Sequence, residues 1–231
     1  MADPLVLIAA FFAIGIVGIL LEAVRRRNVP AAVNAVFSLL VTVIPLLVEV
    51  IVRVSAGPVI GFGPLLYLWI AAVGFIHSLG MLGPYDTIWW WDHVTHTAAA
   101  ALVAVLTYTG LLVAIDHATV PALSFATIGA LTVLFTFGAG VLWELIESVA
   151  REVGRSYDIE PILVNYGRRD TALDLVFDVV GAILIVLLDV RFLVPVAKRF
   201  PEVTLLLLAV SCAVVVLGSV LLGLIMLVRR S

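Results

Sequence analysis

Uninterrupted apolar runs longer than 20 residues recur along the sequence, and this constrains the fold more than any other feature. Residues 203–228 hold no Asp, Glu, Lys or Arg, and residues 4–21 hold none either. A helix that is apolar all round has no face to offer water. About 20 such residues reach across the hydrocarbon of a bilayer. Composition agrees, with 64% hydrophobic and 13% charged residues among 231 and a mean hydropathy of +1.25. A soluble domain carries about 25% charged residues. The chain is therefore expected to be all-α, a polytopic transmembrane helix bundle forming a single integral membrane domain over residues 1–231. Its pI near 5.7 and net charge of −3 supply no basic surface, so no nucleic-acid partner is expected. The one cysteine, Cys212, lies in an apolar run, and an intrachain disulfide is excluded.

The length rule predicts about seven spanning helices. They cover Pro4–Val24, Ala31–Val54, Val59–Leu82, Trp90–Ile115, Pro121–Ala150, Thr171–Pro195 and Val203–Val228. Breakers fit these limits: Asn28-Val-Pro30 caps the second helix, Gly57-Pro58 and Gly83-Pro84 bracket the third, and Thr119-Val-Pro121 opens the fifth. The first helix has no basic leader and no small-residue cleavage site, and reads as a retained span. Nine Lys and Arg residues fall on one side (Arg25, Arg26, Arg27, Arg151, Arg155, Arg168, Arg169, Arg229, Arg230) and four on the other. The richer side is assigned to the cytoplasm, which puts the N-terminus outside and the C-terminus inside. Residues 151–170 are too polar to span, and are expected as a cytoplasmic interfacial loop between the fifth and sixth helices.

Three of the apolar segments carry ionisable residues. They read Trp91-Asp92-His93-x-x-His96, Trp143-Glu144-x-x-Glu147 and Asp170-Thr171-x-x-Asp174-x-x-x-Asp178. Residues three or four apart share a helix face, so each segment shows one polar stripe. The stripe from Asp170 to Asp178 is about 12 Å long at 1.5 Å per residue. The fourth helix starts at the membrane face where the fifth ends and the sixth starts, so an up-down arrangement gathers all these groups at one face, with His77 at the end of the third helix. Trp89, Trp90 and Trp91 mark the headgroup level there. Asp170 doubles as an expected N-cap, with Thr171 at the first helical position.

An ionised group at mid-bilayer costs about 2.5–3.5 kcal/mol on insertion scales. Asp92, Glu144, Glu147, Asp174 and Asp178 also repel one another, so a cation is needed to keep them charged together. Carboxylates and imidazoles at i, i+3 and i, i+4 spacing on facing helices build metal sites in bundles. Asp92, His93, His96, Glu144, Glu147, Asp174 and Asp178 are the expected metal ligands, with Glu144 or Glu147 left as a catalytic base. Mixed His and carboxylate donors favour Zn, Mn or Fe, with Mg the all-oxygen alternative. Arg151, Arg168 and Arg169 folding back from the polar segment are the competing source of positive charge.

At these motifs, over about residues 90–190, the chain resembles the YjdF-like family of bacterial and archaeal inner-membrane proteins. The resemblance runs through Asp92-His93-x-x-His96, Trp143-Glu144-x-x-Glu147 and Asp170-Thr171 onward to Gly181-Ala182. Thr97 stands here where the family usually has Phe after the histidine. The resemblance implies a multi-pass protein of a prokaryotic plasma membrane and supports the same site residues, without naming a reaction.

Three functions follow as expectations. The first is a metal-dependent enzyme acting on a lipid headgroup or isoprenoid substrate, with membrane lipids as partners. The second is a divalent-cation or proton transporter, which needs the polar path to continue to the far face. The third is a non-enzymatic membrane partner with a structural polar network. The sequence fixes no oligomeric state.

Overall fold

A computed structural model describes residues 3–56, 61–117, 123–158, 162–163 and 167–228. Among the described residues every regular element is helical: α1 (Pro4–Arg26), α2 (Val29–Ala56), α3 (Pro64–Gly80), α4 (Pro84–Thr87), α5 (Trp91–Asp116), α6 (Phe125–Tyr157), α7 (Arg168–Leu187), α8 (Val194–Ala197) and α9 (Pro201–Val228). Five of them, α1, α2, α5, α6 and α9, are long and apolar enough to cross a membrane. The other two of the seven expected spans are α3 and α7. The 17 residues of α3 reach only about 25 Å, and the 20 residues of α7 include Asp170, Asp174 and Asp178.

Local chemistry accounts for most helix ends. Asp3 caps α1, accepting from Leu5 N at 2.8 Å, and Arg27 closes it in the left-handed region at φ 57°. Asn28 Oδ1 accepts from Ala31 N at 2.9 Å and opens α2. The expected opening of the fifth helix at Thr119-Val-Pro121 and the Gly57-Pro58 bracket lie outside the described residues. α6 itself begins at Phe125, capped by Ser124, whose Oγ accepts from Thr127 N at 3.1 Å. It runs past Ala150 and through Gly154 to Tyr157, with no proline to stop it before Asp158 turns left-handed at φ 53°. α7 ends eight residues before the expected Pro195. Asp189 takes φ 48° there, and its carboxylate holds the turn by accepting from Arg191 Nε at 2.6 Å. The expected N-cap role of Asp170 is not observed: Gly167 caps α7, and Asp170 sits in its first turn.

The chain divides into two compact units, Met1–Thr95 and His96–Ser231, the division falling inside the unbroken helix α5. In the first unit α1, α2 and α3 pack on one another. Their core is Ile16, Ile19 and Ala35, covered by Leu20, Leu39, Phe75, Leu79 and Leu82. In the second unit α6 packs on both α7 and α9. α9 buries none of its residues, as expected of a helix whose apolar surface faces lipid.

Two glycines set the helix spacing in this second unit. A Cβ on Gly181 of α7 would press into backbone of α5, at Thr97 O and at Ala101 N, the latter 3.0 Å away. A Cβ on Gly140 of α6 would collide with the Asp178 carboxylate and lie 3.1 Å from Leu175 Cδ2. Small residues let membrane helices approach this closely, and here the approach occurs next to the polar stripes.

Candidate functional site

Within the second unit, α6 and α7 each turn a polar stripe inward, and His96 of α5 meets them. Glu144, Glu147, Asp174 and Asp178 are all buried, Asp174 being only 2% exposed. The spacing explains this: Glu144 and Glu147 lie one turn apart on α6 and Asp174 and Asp178 one turn apart on α7, and the positions between them are apolar and less buried.

His96 is the hub. Its Nδ1 lies 3.1 Å from Asp178 Oδ1. Asp92 and His96, a turn apart on α5, offer ligand atoms within 4.8 Å of each other, and so do His96 and Asp174. Thr95 Oγ1 donates to the Asp92 backbone carbonyl at 2.7 Å and lies 3.4 Å from Asp92 Oδ1. On α6, the Thr171 side chain hydrogen-bonds to Glu144, and His96, Asp170 and Asp178 are close enough to act on it electrostatically. Glu147 Oε1 accepts from Trp143 Nε1 at 2.8 Å, one turn back on its own helix.

The expected ligands therefore separate into groups. In the second unit His96 and Asp174 offer ligand atoms within 4.8 Å of each other, with Asp178 on the imidazole, and Asp92 lies one turn back from His96 on α5. Glu144 flanks this group through Thr171. Glu147 is held by Trp143. His93 is buried, with its ring edge-on to that of Trp89 at 6.2 Å. His77 lies elsewhere again, bonded to Tyr85 and Asn34. The three tryptophans also divide. Trp89 is 81% exposed and Trp90 is exposed, whereas Trp91 is half-buried and donates from Nε1 to Ile76 O at 3.0 Å.

Residues 5–194 match a family described as predicted membrane protein (DUF2238). The chain belongs to the DUF2238 family. The YjdF-like proteins that its motifs resemble are this same family. No curated protein and no solved structure matches the chain. The DUF2238 match takes in every residue from Asp92 to Asp178 and stops short of α9.

Sequence reasoning missed several residues that pack or hydrogen-bond around these polar side chains. Gly140 carried a signal, since it lies four residues before Glu144 and so on the same face, at the point where Asp178 needs room. Thr171 also carried one: it is three residues before Asp174 and was read only as a helix-start residue. Trp143 was read as the aromatic position of a motif, and its indole N–H as a donor to Glu147 follows from the i, i+4 spacing. Thr95 and Tyr85 carried no signal beyond being polar.

Proposed function

We propose that the protein holds a divalent cation in a His/Asp site inside its membrane-embedded helices, at the cytoplasmic face, and that this cation serves an enzyme acting on a lipid headgroup or isoprenoid substrate. One observation carries the reading: His96 and Asp174 offer ligand atoms within 4.8 Å of each other, and a second carboxylate, Asp178, engages the same imidazole. A carboxylate on one imidazole nitrogen fixes the tautomer and turns the other nitrogen toward a metal. In this reading His96 and Asp174 ligate, and Asp178 orients the imidazole. An imidazole with a carboxylate suits Zn, Mn or Fe. A bound cation polarises a phosphoryl oxygen or acidifies a water. Glu144, oriented by the Thr171 hydroxyl, is the base that accepts a proton beside the site. Glu147 supports the same stripe through Trp143.

Two further observations bear on its rivals. Of the arginines that compete as a source of positive charge, Arg168 and Arg169 are exposed at the start of α7, while Arg151 is half-buried on α6. Beyond Glu144 the buried stripe of α6 continues through Gly140 to Thr136 and Thr132, whose hydroxyls donate to Thr132 O and Ile128 O at 2.9 Å each. The ionisable part of the stripe thus ends at Glu144, whereas an ion path needs to continue.

The test is elemental analysis of protein purified without chelator or affinity metal. One Zn, Mn or Fe per chain is expected, lost in Asp174→Asn and His96→Gln. Substoichiometric metal in wild type that does not rise on adding Zn or Mn would remove the proposal.

A further inference from the structure

Within the second unit, at the ends of α6 and α7 far from Glu144 and Asp174, an apolar groove meets a fixed guanidinium, and the roles above use neither. The groove, of about 210 Å³, lies between the start of α6 and the end of α7 and is lined by apolar residues alone. Phe125, Ala130, Ile183 and Leu187 are its exposed walls, and Gly129 and Val186 its buried floor. Gly129 has no room for a side chain, since a Cβ there would lie 2.8 Å from Val186 Cγ1. From Phe125 the groove reaches inward to Val133, about 12 Å along the helix, against about 15 Å for one leaflet of hydrocarbon. At about 30 Å³ for a unit the size of a water, it has room for about seven carbons of a single chain.

The turn that ends α7 is fastened to this floor. Asp189 N donates to Val186 O at 3.1 Å, and Val190 N donates to Ile185 O at 3.2 Å. Asp189 is left-handed at φ 48°, a conformation that residues other than glycine keep only where their surroundings impose it. Its Oδ1 accepts from the Tyr108 hydroxyl at 2.5 Å and from Arg191 Nε at 2.6 Å. Tyr108 is fully buried, whereas the Arg191 side chain is half exposed. An interior anchor therefore fixes the guanidinium through Asp189. With Nε committed, a guanidinium still carries four N–H donors on Nη1 and Nη2, in the fork that matches phosphate. We propose that this corner binds one phospholipid, with its phosphate on Arg191 and one acyl chain in the groove. A free phosphate would leave the groove empty, and a plain hydrocarbon would leave the guanidinium unmatched; a phospholipid engages both. The inference is independent of any cation at His96.

Native mass spectrometry of the full chain in detergent, titrated with phosphatidylglycerol, tests this. Wild type should retain one phosphatidylglycerol per chain. Arg191→Gln removes the fork and Ala130→Leu fills the groove, and both positions are exposed, so neither change disturbs the packing. Each should weaken retention about 10-fold or more, with the helical circular dichroism of wild type. Glycerol phosphate, which has the headgroup and no chain, should fail to displace the lipid. If it competes as well as the lipid, or if Ala130→Leu retains the lipid while Arg191→Gln loses it, the site takes an anion alone and the groove assignment is wrong. If Ala130→Leu loses the lipid while Arg191→Gln retains it, the phosphate assignment is wrong. Retention equal to wild type in both variants would overturn the proposal entirely.

Discussion

Replacing Gly181 by Ala tests whether the α5–α7 approach holds the site together. The new methyl would meet three backbone atoms of α5, the Thr97 carbonyl carbon and oxygen and Ala101 N, and none can rotate away as a side chain would. Restoring contact at 3.5 Å or more requires the helices to part by roughly 1 Å. One turn away, the His96–Asp178 bond of 3.1 Å would stretch to about 4 Å, past useful hydrogen-bond length. Overpacking costs about 1–3 kcal/mol, and a hydrogen bond to a charged group contributes about 1.5–3 kcal/mol. The two terms share the same movement and do not add fully. Against them stands the better helix propensity of Ala, about 1 kcal/mol. The expected net loss is about 2–4 kcal/mol, read as unfolding free energy in mixed micelles titrated with denaturing detergent. Gly223→Ala on α9 is the control: nothing lies within 4 Å of its Cβ position, so it should stabilise by about 0.5–1 kcal/mol. A Gly181→Ala protein as stable as Gly223→Ala, with unchanged metal content, would refute the close-approach argument.

Other expectations follow from single contacts. Gly140→Ala should displace the Asp178 carboxylate and lower metal content together with stability; retention of one metal per chain would count against Asp178 as the orienting group. Trp143→Phe removes the indole donor to Glu147 at 2.8 Å and should cost about 1–3 kcal/mol, measured by the same titration, whereas an unchanged midpoint would show that Glu147 has no need of it. Arg191, and then the Tyr108 hydroxyl, hold Asp189 below the usual carboxylate range. A depressed folded pKa stabilises the fold above the unfolded value of about 3.9, and this contribution is lost as pH falls through the lower folded value. Wild type should therefore exceed Asp189→Asn in stability by a constant margin above about pH 4, and the margin should shrink at lower pH. A margin that instead grows on acidification would reverse the assigned sign.

The helix content and most boundaries were legible because caps are local. Asp3-Pro4 and Asn28-Val-Pro30 announce their helices from side chains within three residues of each end. The end of α7 was not legible: apolar residues continue from Ile183 past Leu188 to Val196, and hydropathy cannot register a left-handed Asp189. The polar stripes were legible because lipid leaves a buried carboxylate few alternatives. Which members of a stripe meet is a matter of tens of degrees around an axis. For that reason the spacing alone did not say that His96 would meet Asp174 and Asp178. Tyr85 and Asn34 lay beyond reach because a lone Tyr or Asn in an apolar run has many ordinary uses, and only the fold brings both to His77.

The threonines of α6 have a consequence for the membrane as an insulator. A column of titratable groups crossing the hydrocarbon would conduct protons and drain any gradient held across it. Thr132 and Thr136 are buried on the same face as Glu144, but each hydroxyl proton is committed to a carbonyl of its own helix. A hydroxyl bound in this way has no proton to pass toward Glu144 without first breaking that bond. On this face of α6 the titratable groups therefore end at Glu144, and the hydroxyls that continue the stripe are tied to their own helix.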